Sequence, residues 1–202
     1  VAPTSSPDLR RMMLLAGNPT LFILVGIAAL ILVWFIGTYN RILRHRNHLA
    51  ESWSDIDVEL KRRYDLIPNL VETVKRFARH ESELFAEVAR LRSDAAGNHG
   101  TPASQAVSES GMLQALRQVF VLAEGYPELK SDSMFRSLTK ELALTEDRIA
   151  AARRFFNANV RDLKSLREQF PSSLVAGFMG LPAPSFFEIE DALERVVPRV
   201  GL

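Results

Sequence analysis

Between Asn18 and Tyr39 the chain carries no charged residue. Within that gap, Leu21–Gly37 reads LFILVGIAALILVWFIG, and Thr20, Thr38 and Tyr39 extend the run to residues 20–39. At about 1.5 Å per residue, a helix of about 20 residues spans about 30 Å, the thickness of a bilayer's hydrocarbon core. Trp34 and Tyr39 lie toward one end, where amphipathic rings favour the headgroup layer, and Arg41, Arg44 and Arg46 follow directly. These five are the expected interface anchors. The rivals are a buried core helix and a cleaved signal peptide. The run is long for a signal peptide and no A-x-A-like site follows it. The expectation is a retained single-pass anchor behind a short tail, residues 1–19.

The remaining charge is balanced. Residues 40–202 hold 23 Lys+Arg and 23 Asp+Glu, which disfavours a general nucleic-acid binder, since that class needs a basic excess. Cysteine is absent, so disulfides, thiolate nucleophiles and Cys-ligated metal centres are excluded. The three arginines after the run outweigh Arg10 and Arg11 before it, where Asp8 also lies. The positive-inside rule then favours a cytoplasmic body.

Helical periodicity governs the rest. Leu49, Trp53, Ile56 and Leu60 recur at steps of four, three and four, and no Gly or Pro follows Gly37 before Pro68. The anchor is therefore expected to continue into the first helix of the body, as a rod of about 65 Å over residues 21–64. In RRYDLIPNL, Asp65 suits an N-cap and Pro68 a first turn, so the spacing predicts a reversal at 63–65. The rival is one continuous helix kinked at Pro68. Leu70, Phe77, Leu84 and Leu91 are seven apart and predict a second helix over about 66–93. Glu81 falls on that stripe and is expected at its rim or paired with an arginine such as Arg153. DAAGNHGTPASQAVSESG (residues 94–111) reads as a loop. A third helix is expected over about 112–126 and a fourth over about 132–170. In the fourth, Phe135, Leu142, Ile149, Phe156, Leu163 and Phe170 keep a spacing of seven.

The fold class expected is all-α: an N-terminal transmembrane helix continuing into an up-down antiparallel four-helix bundle over residues 40–170. Residues 171–202 hold prolines and aromatic pairs. They are expected to pack on the bundle or a partner through Leu174, Val175, Phe178, Met179, Leu181, Phe186, Phe187, Ile189, Leu193, Val196 and Val197.

Catalytic chemistry leaves little trace. His45-x-x-His48 places two imidazoles on one helix face, but no H-E-x-x-H, Glu-x-x-His or second cluster accompanies it. P-loop, dinucleotide and nucleophile-elbow motifs are missing from the sequence. No catalytic, metal or cofactor residue is expected. Lys61, Arg62 and Arg63, at the expected turn beside Asp65 and Pro68, form a basic cluster. It reads either as a solvated face or as a docking patch for an acidic partner.

SDIDVELKRRYDLIPNLVETVKRFARHE (Ser54–Glu81) closely resembles the signature of the LemA family of bacterial envelope proteins. YNRILRHRN (Tyr39–Asn47), YPELKSDSMFRSL and TEDRIAAARRFFNANV (within Tyr126–Val160), and FPSSLVAGFMG with Phe186-Phe187-Glu188 are similar to that family's pattern. The sequence departs from it at Arg76-Phe77, where Gly-Tyr is usual, and at Leu163-Lys164. The resemblance implies an N-terminal anchor and a bundle of long antiparallel helices, and it does not supply a catalytic activity; the expected location is the bacterial inner membrane. Relatives include a magnetosome-formation protein, and many are encoded near membrane zinc metalloproteases, which implies scaffold or adaptor roles. The leading expectation is a membrane-anchored scaffold that self-associates or docks on a membrane complex, such as a protease and its scaffold, with no small-molecule substrate. The alternatives are a membrane-associated metal-dependent enzyme and a membrane-shaping or sensing protein.

Overall fold

The structure is a computed structural model that describes residues 19–189. The N-terminal tail and Leu193, Val196 and Val197 lie outside those residues. Every regular element among the described residues is a helix. They are α1 (Pro19–Lys75), α2 (Ser82–Gly97), α3 (Pro102–Glu124), α4 (Pro127–Ser131), α5 (Ser133–Glu168) and α6 (Ser172–Met179). The chain divides into two compact units, one of residues up to Arg44 with Leu166–Leu181, the other of His45–Ser165 with the residues from Pro182 on.

In the first unit the apolar run of α1 is wholly unburied. That removes the reading as a buried core helix and leaves a helix long and apolar enough to cross a membrane. Trp34, Tyr39, Arg41, Arg44 and Arg46 are all exposed along it. Ile42, Leu166, Val175 and Ala176 are buried within this unit, and the Phe35 and Phe178 rings meet edge to face at 6.5 Å.

The second unit holds the main core. Ile56, Leu60, Ile67 and Leu70 of α1, Phe85 and Val88 of α2, Met112 and Leu116 of α3, and Leu142, Ile149 and Phe156 of α5 share it. Trp53 of α1 packs on Phe156 of α5, with ring centroids 5.3 Å apart. Ten residues further along α1, Arg63 reaches Glu146, ten residues back along α5, at 2.8 Å. The two helices therefore run antiparallel. The seven-residue seam of α5 is buried from Phe135 to Leu163, whereas Phe170 is exposed.

The expected reversal at 63–65 is absent. α1 runs through it and through Pro68 to Lys75, as the rival reading has it in respect of continuity. Proline has no N–H, so the carbonyl four residues earlier, that of Tyr64, loses its helical donor. Arg92 of α2 replaces it: its Nε donates to the Tyr64 carbonyl at 2.5 Å. An interior proline costs about 3 kcal/mol when nothing compensates, and here a neighbouring helix does.

Two other boundaries differ from expectation. The chain turns at 76–81, where Arg76 and Phe77 donate to the carbonyls three residues back instead of four, so residues 66–75 belong to α1. Residues 94–111 are largely helical. The connection shrinks to 98–101, with Thr101 capping α3 by accepting from the Ser104 N–H at 3.2 Å and Pro102 in its first turn. Asp132 caps α5 through the Phe135 N–H at 2.9 Å.

Residues 181–189 form no regular element, but 186–189 cover the core. Phe187 is fully buried and its ring meets Trp53 at 5.4 Å. The Asn157 amide clasps it from both sides, donating to its carbonyl at 3.1 Å and accepting its N–H at 3.0 Å. Arg153 donates to the Ile189 carbonyl at 3.3 Å, while Glu81 is exposed at the turn. The Glu81–Arg153 pairing is thus replaced.

If Arg92 sustains the helix across Pro68, the two residues are energetically coupled. Arg92→Ala should cost about 1–3 kcal/mol, the penalty of stranding a buried carbonyl. It should cost markedly less in a Pro68→Ala background, where the substituted residue supplies its own N–H. Guanidinium unfolding of the four chains in detergent measures this cycle. Equal costs in both backgrounds would show that Arg92 does not serve that carbonyl.

Candidate functional site

The strongest concentration of charge in the interior centres on Arg63, whose side chain is fully buried. Its place on α1 follows from the periodicity: Ile56, Leu60, Arg63, Ile67 and Leu70 fall on one stripe, with a cation at its middle. Its Nη1 donates to both oxygens of Glu146 on α5, at 2.8 and 3.0 Å. Its Nη2 donates to Glu109 on α3. Glu109 is itself wholly buried. Its second oxygen accepts from the Tyr64 hydroxyl and from the Gln105 amide, the latter at 2.7 Å. Gln105 also donates to the Ala95 carbonyl at the end of α2, at 3.0 Å. One network thus joins α1, α2, α3 and α5.

Burial alone would lower the Arg63 pKa. The charges of Glu146 and Glu109 outweigh that and hold it above its ordinary value. The Tyr64 hydroxyl is raised well above the usual tyrosine range, first by burial and then by the Glu109 carboxylate beside it. Both groups are therefore locked in one form, a cation and a neutral phenol. The donors are directed at protein acceptors, so the arrangement suits cross-linking helices.

This overturns one part of the expected docking patch. Arg63 belongs to the interior, not to a turn on the surface. Lys61, Arg62, Asp65 and Pro68 are exposed along the continuous helix, so four of the five residues share accessible surface without the turn. Arg62 lies 3.8 Å from Glu59, which also stands 4.0 Å from Arg148 on α5. His48 stands 3.5 Å from Glu51, and His45 is half-buried. Among the described residues no group of three or more His, Asp or Glu side chains is placed to hold a metal ion. A hollow of about 270 Å³ is lined by Trp53, Asp57, His99 and Gln105, among others.

Glu109 and Gln105 lie in a stretch whose composition suits a loop, so composition does not mark them as interior residues. A signal was present in Thr101-Pro102, a helix-start pair, and in the step from Gln105 to Glu109 to Leu113, which extends the α3 stripe backward.

These features define an all-helical protein in which one helix supplies both an unburied apolar run and a wall of the interior core. The chain belongs to the LemA family, whose model matches residues 52–201. It is similar to the Protein LemA of Metamycoplasma hominis, at 23% identity over 80% of this chain and 74% of that one. It is also similar to the Magnetosome protein MamQ of Magnetospirillum gryphiswaldense, at 23% identity over 87% of this chain and 75% of that one. All residues of the Arg63 network lie within the family match.

Two outcomes follow from the network. Arg63→Leu should destabilise by about 3–5 kcal/mol, because it leaves Glu109 buried and unpaired. Adding Glu109→Leu should restore most of that, since Glu146 is 24% exposed and can turn to water. Chemical denaturation of the single and double variants checks this, and a double variant as unstable as the single would contradict it. The second outcome concerns alkaline pH. A raised native pKa means that the native state holds the Tyr64 proton after the unfolded state has lost it. Its contribution is complete below about pH 10 and declines above it, by at most about 1.4 kcal/mol per pH unit. Stability measured from pH 8 to 11 should therefore fall more steeply in the natural chain than in Tyr64→Phe. Parallel curves would show that Tyr64 adds nothing to the decline.

Proposed function

We propose that the protein is a non-enzymatic, membrane-anchored scaffold or adaptor that self-associates or docks on a membrane protein complex such as a protease assembly. The observation that carries this reading is the continuity of α1. A single helix holds an unburied apolar run at one end and forms a wall of the ion-paired core at the other. A core that shares a helix with its own anchor suits a part that presents a surface to neighbours at a membrane. The buried ionisable groups are engaged in holding helices together, and the names of the relatives are not those of enzymes. In this reading the body is an up-down four-helix bundle built from α1, α2, α3 and α5. The anchor lies in the bacterial inner membrane and the arginines after it hold the body in the cytoplasm.

The accessible surface offers two features to a partner. Lys61 and Arg62, with Asp65 and Pro68, form the remaining polar patch on α1. Leu144 and Phe155, eleven residues apart on α5, share one face, and both are exposed, as is Val58 on α1. An apolar stripe beside charged positions fits lateral association.

Cross-linking in the membrane, then gentle extraction and native mass determination, tests the proposal. A discrete multiple of about 23 kDa or a defined complex with another chain is expected. Phe155→Asp combined with Leu144→Asp should reduce the cross-linked fraction several-fold, with helicity by circular dichroism unchanged. A clean monomer with nothing attached would overturn the scaffold reading.

A further inference from the structure

We propose that α6 is a membrane-interface helix: Leu174 and Phe178, with Phe170 just ahead of them, enter the bilayer surface from which α1 emerges. This rests on reading α1 as the anchor. The sequence from Gln169 to Phe187 carries no charge. Within it, Phe170 is 82%, Leu174 57% and Phe178 83% exposed, while Val175 and Ala176 are buried on the opposite face. A short helix that hides its small residues and displays its large ones is inverted relative to a water-facing element.

The occupant follows from the contact with α1. The Phe178 ring packs edge to face on Phe35, at 6.5 Å. Phe35 belongs to the apolar run and precedes Tyr39 by about one helical turn, or about 6 Å of rise. Once the run is seated in a bilayer, Phe178 shares the depth of Phe35, at the acyl–headgroup boundary. The exposed apolar surface of α6 is continuous there with that of α1, and aromatic rings favour this layer. Gly180 ends the helix in the left-handed conformation at φ 57°, and at the interface, unlike the bilayer centre, headgroups and water supply partners for the unpaired groups at the ends of so short a helix.

The chain has no cysteine, so single labels are readily placed. Phe170→Cys, Leu174→Cys and Phe178→Cys are spin-labelled one at a time in the full-length protein and reconstituted in phosphatidylcholine–phosphatidylglycerol nanodiscs. Val25→Cys reports on the anchor and Glu72→Cys on water. Accessibility to oxygen is compared with accessibility to a water-soluble nickel chelate, and helicity is checked by circular dichroism. At all three α6-region sites oxygen should dominate, as at position 25, while the chelate dominates at position 72. Chelate dominance at 170, 174 and 178 with oxygen dominance at 25 would overturn the interface helix and leave the anchor standing. Chelate dominance at 25 as well would overturn the anchor reading itself. Shielding from both reagents at the three sites would mean that protein covers the stripe, and would also overturn the proposal.

Discussion

A guanidinium with no access to water sets the terms for this fold. Removing Arg63 from solvent is costly, and the cost is met only where carboxylates converge on it from other helices. Glu109 arrives from α3 and Glu146 from α5, while Tyr64 and Gln105 complete the lone pairs of Glu109. The apolar seams around the network are less selective, because residues repeating every seven positions can slide by one repeat and still bury leucine against leucine. A slide of that size, about 10.5 Å along a helix, would leave Arg63 and Glu109 both buried and apart. We infer that the network selects one register from several that the apolar packing alone would accept.

Some of this was plain in the sequence and some was not, for identifiable reasons. The apolar run and the seam of α5 showed themselves because each is a long pattern with a single physical cause. Pro68 misled because proline normally ends a helix. The residue that rescues the helix, Arg92, is 24 positions away and appears in a sequence as an ordinary surface arginine. The turn at 76–81 contains neither Gly nor Pro, and the spacing of Leu70, Phe77, Leu84 and Leu91 runs across it unchanged, so periodicity joined two helices that the structure separates. Residues 102–111 are rich in Ser and Ala and carry a glycine, a composition that suits a loop. Their helical state is imposed by burial of Gln105, Ala106 and Glu109.

The same holds for the site. Three adjacent cations looked equivalent in the sequence, yet the helix assigns them different surroundings: Lys61 and Arg62 to solvent, Arg63 to the interior. A rotation of about 100° per residue is enough to make that division. It could have been anticipated from Leu60 and Ile67, which flank Arg63 at helical spacing. Likewise Phe170 continues the seven-residue pattern of α5 but lies beyond the end of the helix, so it keeps the spacing without the burial.

The carbonyl of Tyr64 has a bearing on how the protein is made. A chain leaving the ribosome presents the apolar run first and Arg63 soon after. The missing bond at Pro68 waits until Arg92 has emerged. The charge on Arg63 waits longer, for Glu109 and then for Glu146. Each later helix thus supplies a partner that an earlier residue lacks, and biosynthesis from the N-terminus delivers those partners in sequence. Glu146 is the last of these partners along the chain, so the set around Arg63 is complete only once the first half of α5 has been made.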